Sequence, residues 1–164
     1  RMNRIVAGQK FQVIIDFAST PDGFEKFFES VRPLVKGKLV AVFGSAGRRD
    51  ESKRAEQGVI AAKYADHLVI TEEDDRDEDG ANILDQIASG AETQGKERGV
   101  DIDLMSNREE AIGYAFTLVS SEDDTVVLLG KGHEKTIERA DGEYPWNEAE
   151  VAKTALGELL NEQK

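Results

Sequence analysis

Short β-branched runs alternate along this chain with stretches whose apolar residues recur at helical spacing, and no other feature constrains the fold as much. Phe11-Gln12-Val13-Ile14-Ile15 ends at Asp16 and reads as a buried strand. Thr20-Pro21-Asp22 supplies an N-cap, an N1 proline and a first-turn acid. Phe24, Phe27, Phe28 and Val31 then recur at i, i+3, i+4 and i+7, one face of a helix. A second strand, Leu39 to Phe43, breaks at Gly44-Ser45-Ala46-Gly47. Asp50 is placed to cap the next helix, whose inner side is expected at Ala55, Val59 and Ile60. His67 to Ile70 is a third strand, followed by a helix from about Asp79 to Glu97. Ile102 to Met105 is a weaker strand. Ser106-Asn107-Arg108-Glu109 then has capping-box spacing ahead of Ala111, Ile112, Ala115, Phe116 and Val119. Thr125 to Leu129 is the last strand of the series, Thr136 to Trp146 reads as a hairpin around Asp141-Gly142, and Asn147 caps a closing helix.

Strand and helix repeated in this order predict an α/β domain with three layers: a mainly parallel sheet covered on both faces, with a C-terminal hairpin and helix appended. Right-handed crossovers bring the strand-to-helix loops to one sheet edge, where ligands bind in such folds. The loops in question are Asp16–Pro21, Gly44–Asp50, Thr71–Asp79 and Gly130–Glu134, all polar. A length of 164 residues, without repeats or a low-complexity linker, fits one domain over residues 1–164.

Charge narrows the function. With 33 Asp+Glu against 21 Lys+Arg, the net charge of −12 argues against a nucleic-acid or anionic-membrane surface. The absence of cysteine removes disulfides, thiolate zinc sites and Cys nucleophiles. No apolar run approaches the roughly 18 residues of a membrane span. With no signal peptide and Arg1 at its start, the chain is expected to be a cytoplasmic piece of something longer.

Two motifs are decoys. Gly90-Ala91-Glu92-Thr93-Gln94-Gly95-Lys96 matches most of a P-loop, but Glu97 stands where Ser or Thr must meet magnesium, and the segment sits late in a helix. Asp75 to Gly80 fits the start of a calcium loop, but position twelve is Gln86, where a bidentate Glu is needed. No Gly-x-Gly-x-x-Gly follows a strand either, which disfavours a dinucleotide-dependent oxidoreductase.

Three other loops carry chemistry. Glu72 to Asp79 holds seven acids in eight positions, so a cationic ligand or neighbouring basic groups are expected. Arg76 among them would be held by its neighbours and present a fixed fork to a carboxylate. Gly44 to Gly47, followed by Arg48, Arg49, Lys53 and Arg54, reads either as an anion site at a helix start or as a solvated helix start. Gly130-Lys131-Gly132-His133-Glu134 is the sharpest signal: two glycines admit a ligand close to the backbone, and three polar side chains stand beside it. A plain glycine turn is the alternative. His133 is a general base by residue type alone, and His67, at a strand start, reads as structural.

Together these loops resemble the C-terminal domain of the Mur ligases, in particular the MurE tripeptide synthetases that add the third residue of the peptidoglycan stem peptide to UDP-N-acetylmuramoyl-L-alanyl-D-glutamate. Arg1-Met2 is similar to part of a Gly-Arg-Met-Glu segment at the hinge from the family's central ATPase domain. Asp16-Phe17-Ala18-Ser19-Thr20-Pro21 is similar to Asp-Tyr-Ala-His-Thr-Pro. Gly44 to Arg54 resembles the Gly-x-Gly-Gly-Asp-Arg-Asp-x-x-Lys-Arg loop, and Gly130-Lys131-Gly132-His133-Glu134 is the family's Gly-Lys-Gly-His-Glu unchanged. The resemblance implies a Rossmann-like amino-acid-binding domain, with the central ATPase and N-terminal UDP-sugar domains absent from this chain. It implies amino-acid contacts from Arg49, Glu73, Asp74, Asp75, Arg76, Gly130 and Glu134, with Lys131 and His133 as lesser candidates. ATP contacts fall on Arg1 and Asp16. No catalytic residue or metal site is expected in this chain; ATP and Mg2+ belong to the full-length enzyme.

The departures bear on specificity. Ser19 replaces the family's His, and Glu73-Asp74-Asp75-Arg76 stands where diaminopimelate enzymes carry Asp-Asn-Pro-Arg. Arg76 keeps a group for a distal carboxylate, whereas the extra acids suit a bare ammonium. Diaminopimelate is therefore preferred on Arg76, with L-lysine left open. A free-standing amino-acid-binding or regulatory module is the alternative function.

Overall fold

The computed structural model describes residues 2–163. The ATP contact expected of Arg1 therefore lies outside the described residues. Six strands form one sheet in the order β1-β2-β6-β3-β4-β5. They are β1 (Asn3–Arg4), β2 (Gln12–Asp16), β3 (Leu39–Phe43), β4 (His67–Ile70), β5 (Ile102–Leu104) and β6 (Thr125–Leu129). Only β1 runs antiparallel. The helices are α1 (Pro21–Val31), α2 (Ser52–Tyr64), α3 (Gly80–Glu92), α4 (Arg108–Phe116) and α5 (Glu148–Glu162). A separate hairpin pairs β7 (Thr136–Arg139) with β8 (Gly142–Pro145).

Every residue of β3 and of β6 is buried, the signature of central strands covered on both faces. Alternation divides them. Leu39, Ala41, Phe43, Val127 and Leu129 face α1, α2 and α3, whereas Val40, Val42, Val126 and Leu128 face α4 and α5. The first face is closed by aromatic edges, Phe24 meeting Phe43 with centroids 5.1 Å apart and rings at 81°.

One helix face and three helix boundaries depart from the sequence pattern for local reasons. Helix α2 buries Arg54, Gln57, Gly58, Ala61 and Ala62, while Ala55 is exposed and Val59 and Ile60 are half-buried. The inward stripe keeps helical spacing but begins with polar residues, which apolar periodicity cannot reveal. Asp50 does not cap by itself; Glu51 is the N-cap, and Asp50 Oδ1 accepts from the Ser52 N–H and hydroxyl. Helix α3 stops at Glu92, well short of Glu97, because residues 93–101 fold back in turns through Gly95 and Gly99, both at positive φ. On α4 the cap is Asn107 accepting from the Glu110 N–H, not the Ser106 capping box. Thr20 and Asn147 cap α1 and α5 as expected. Among the described residues, no helix is long and apolar enough to cross a membrane.

Candidate functional site

Because β2, β6, β3 and β4 are parallel, the loops after them leave one edge of the sheet. There they enclose an open cavity of about 410 Å³, lined by Ser19 and Thr20, by Ser45, Ala46, Arg49 and Asp50, by Glu73, Asp74 and Arg76, and by Gly130 and Glu134, with Lys53 and Gln57 of α2. The loop at 44–50 and the loop at 130–134 thus face the same space.

Glycine makes that convergence possible. A Cβ on Gly44 would meet the Thr71 carbonyl, one on Gly47 the Asp75 carbonyl, and one on Gly130 the Glu73 carboxylate. Two N–H groups of the loop after β3 are already taken: Gly47 donates to Asp74 O at 2.7 Å and Arg48 to Glu78 Oε1 at 2.9 Å. The glycines therefore serve close packing of two loops, and the anion-site reading of this turn loses those donors.

The acid run is resolved by neutralisation from other elements. Glu72 takes Arg139 at 3.0 and 2.9 Å, Asp74 takes Lys131 at 2.9 Å, Asp77 takes Arg48 at 2.7 Å, and Glu78 takes the wholly buried Arg54 at 2.6 Å. Arg54 accordingly holds Glu78 far down, at about 2. Asp79 instead caps α3 through the Ala81 N–H. Glu73 and Asp75 are left: Glu73 Oε1 and Asp75 Oδ1 are buried with no hydrogen-bond partner. Burial pushes Glu73 up to about 7 and Asp75 to about 6, with neighbouring acids adding to both. Glu73 faces the cavity; Asp75 packs behind it against Gly80 and does not line it.

Arg76 sits at φ 56°, a costly conformation for a residue with a side chain, and is clamped there. Its Nη1 donates to Gly47 O at 2.6 Å and its Nε to Glu138 Oε2 at 3.1 Å. The loop after β3 and the hairpin, not the acid loop, therefore hold it. Arg49 makes no side-chain hydrogen bond or ion pair with any described residue, and it lines the same cavity.

The remaining candidates lie outside the cavity. Lys131 turns inward, wholly buried, and binds Asp74 beneath the floor. His133 is exposed on neighbouring depressions beside Phe17 and beside Asn147. Asp16 is buried; its Oδ2 accepts from the Ala18 N–H at 2.9 Å, and it borders an apolar depression with Met2, Phe17 and Phe27. His67 bonds Asp103 at 2.6 Å inside the sheet, a structural role. Sequence reasoning missed the inward roles of Arg54, Gln57, Arg108 and Glu148, whose buried polar groups organise the loops, and that of the partly exposed Arg139. Arg54, Gln57, Arg108 and Glu148 are polar residues on the inner faces of helices, and Arg139 lies on strand β7, so apolar periodicity marks none of them.

An open α/β sheet whose loops gather charged side chains of both signs around one cavity at its edge defines the class of ligand-binding α/β domains. The chain belongs to the family described as "Mur ligase, glutamate ligase domain", which it matches over residues 1–132. It is 49% identical over 159 residues to a UDP-N-acetylmuramyl-tripeptide synthetase of Roseiflexus sp., covering 97% of this chain and 31% of the relative. It is 39% identical over 153 residues to the UDP-N-acetylmuramoyl-L-alanyl-D-glutamate–2,6-diaminopimelate ligase of Aquifex aeolicus, covering 93% and 30%. A solved structure of a ligase of that same description superposes with TM-score 0.85 at 27% identity, over 98% of this chain and 32% of the other. The chain spans about a third of the length of these relatives.

Proposed function

We propose that this chain is the amino-acid-holding lobe of an ATP-dependent amide ligase that adds a diamino acid, as third residue, to UDP-N-acetylmuramoyl-L-alanyl-D-glutamate in peptidoglycan synthesis. The observation that carries the reading is the cavity itself. Arg49 and Arg76 stand on the same walls as Glu73 and Glu134, an arrangement for carboxylate and ammonium groups of one small molecule. Positioning is the chemistry such a lobe supplies: it presents an amine to an acceptor activated elsewhere.

The described residues do not fit a nucleotide triphosphate or Mg2+ by themselves. No group of three or more His, Asp or Glu is arranged to hold a metal ion among them. The turn donors at Gly47 and Arg48 are engaged, and Gly90 lies within α3. Activation of the acceptor therefore belongs to residues outside this chain, on a central ATPase domain that is its partner. Asp16, on the rim beside exposed Phe17, is the described group this reading sets toward the nucleotide. This reading sets the work in the cytoplasm, on small-molecule substrates and not on nucleic acid or membrane.

Clamping of Arg76 supports a distal carboxylate, hence diaminopimelate. The acids Glu73, Asp74 and Glu134 around it are what would favour L-lysine. Steady-state kinetics of the full-length ligase with both amino acids separates them. Arg76→Ala is expected to cost diaminopimelate about 2 kcal/mol of kcat/KM, the scale of a hydrogen bond to a charged group, and to leave lysine nearly untouched. Equal losses for both would remove Arg76 from the specificity argument.

A further inference from the structure

Behind the cavity floor lies a charge that the proposed function leaves unused. Arg108, the first residue of α4, is wholly buried. Its Nη1 donates to Glu72 O and its Nη2 to Leu129 O, each at 3.0 Å. Glu148, buried as deeply, takes Nε at 3.0 Å and Nη2 at 2.6 Å, and Trp146 Nε1 bonds the same carboxylate at 3.1 Å.

The two carbonyls so held immediately precede Glu73 and Gly130, which touch each other at the cavity floor. Strands β4 and β6 are not neighbours, because β3 runs between them. No ladder hydrogen bond therefore sets the separation of their ends; the planar guanidinium bridges it. We propose that Arg108, seated on Glu148, is a positioning residue that fixes the separation of Glu73 and Gly130 and so sets the cavity's affinity for the amino acid. This rests on the reading of the cavity given above. A lysine ammonium, a compact point charge, cannot span both carbonyls while bonding both carboxylate oxygens.

The test is steady-state kinetics of the full-length ligase carrying this domain, with thermal unfolding of each variant. Arg108→Lys, which keeps the charge and loses the fork, is expected to raise KM for the amino acid by about tenfold to a hundredfold. KM for ATP should stay within about twofold of the parent's value. Trp146→Phe removes one bond to Glu148 and should move the amino-acid KM in the same direction by less. Arg108 is also the strongest charge holding Glu73 down, ahead of Lys131, against the upward push of burial, Asp74 and Glu134. Arg108→Gln should therefore shift the pH midpoint of the amino-acid KM upward, a readout that a merely structural role does not move. An Arg108→Lys enzyme that unfolds like the parent with unchanged amino-acid KM overturns the proposal, as does a parallel rise in the KM of every substrate. Should Arg108→Lys fail to fold, an unchanged amino-acid KM in Trp146→Phe overturns it instead. If Arg76→Ala and Glu73→Gln also leave that KM unchanged, the reading of the cavity fails; if they raise it, only the positioning role does.

Discussion

Glu73 shows how a single side chain takes its character from its surroundings. It is 7% exposed, lies against Gly130, and lacks a hydrogen-bond partner for Oε1, so burial raises it from 4.5 to about 7. A carboxyl raised in the folded state binds its proton more tightly there than when unfolded. Its contribution is therefore complete below 4.5 and is lost as pH rises through about 7. Glu73→Gln, which cannot ionise, should gain on the parent over that window by up to about 3 kcal/mol, read from denaturant midpoints at pH 4 and pH 8. A gap independent of pH would mean Glu73 is not ionising in a buried site. From sequence it was one acid among seven; only the packing of other elements separates it from Glu72, Asp74, Asp77 and Glu78, each of which has a basic partner.

Helices α2 and α3 meet backbone to backbone. A Cβ on Gly58 would strike the Ile87 carbonyl, and one on Gly90 the Ala55 carbonyl. Gly90 opened the P-loop-like segment, and its part is to let two helices close. Replacing a mid-helix glycine by alanine ordinarily favours the helix by about 1 kcal/mol. Gly90→Ala should do the reverse, destabilising the chain by about 2 kcal/mol through overpacking, measured by urea unfolding. A stabilised variant would show that the contact yields. The same closeness explains the misjudged face of α2. With small residues at the crossing and Arg54 and Gln57 turned inward to Glu78 and Ser19, the inner stripe is partly polar. Capping was readable because it is local: Thr20 and Asn147 need only the next three residues.

At the scale of the whole molecule the cavity is open and carries side chains of both charges, which the proposed reading assigns to an amino acid. The chain by itself is expected to release phosphate from ATP at the buffer's own rate, and to bind diaminopimelate or lysine weakly. A phosphate-release assay and calorimetry check both; turnover of ATP, or tight binding, would instead favour a self-sufficient enzyme or a free-standing binding module. Fold class and the gathering of loops on one edge were legible because alternation of periods two and 3.6 is written residue by residue, and parallel strands leave no other edge for those loops. Arg49, Glu73, Asp74, Arg76, Gly130 and Glu134 were candidates through the family resemblance of their loops, and they do share one cavity. That Lys131 turns under the floor and Arg108 ties two non-adjacent strands together depends on contacts between residues 21 to 57 positions apart. Short-range pattern carries local geometry, whereas the pairing of buried charges is decided by which elements the fold brings face to face.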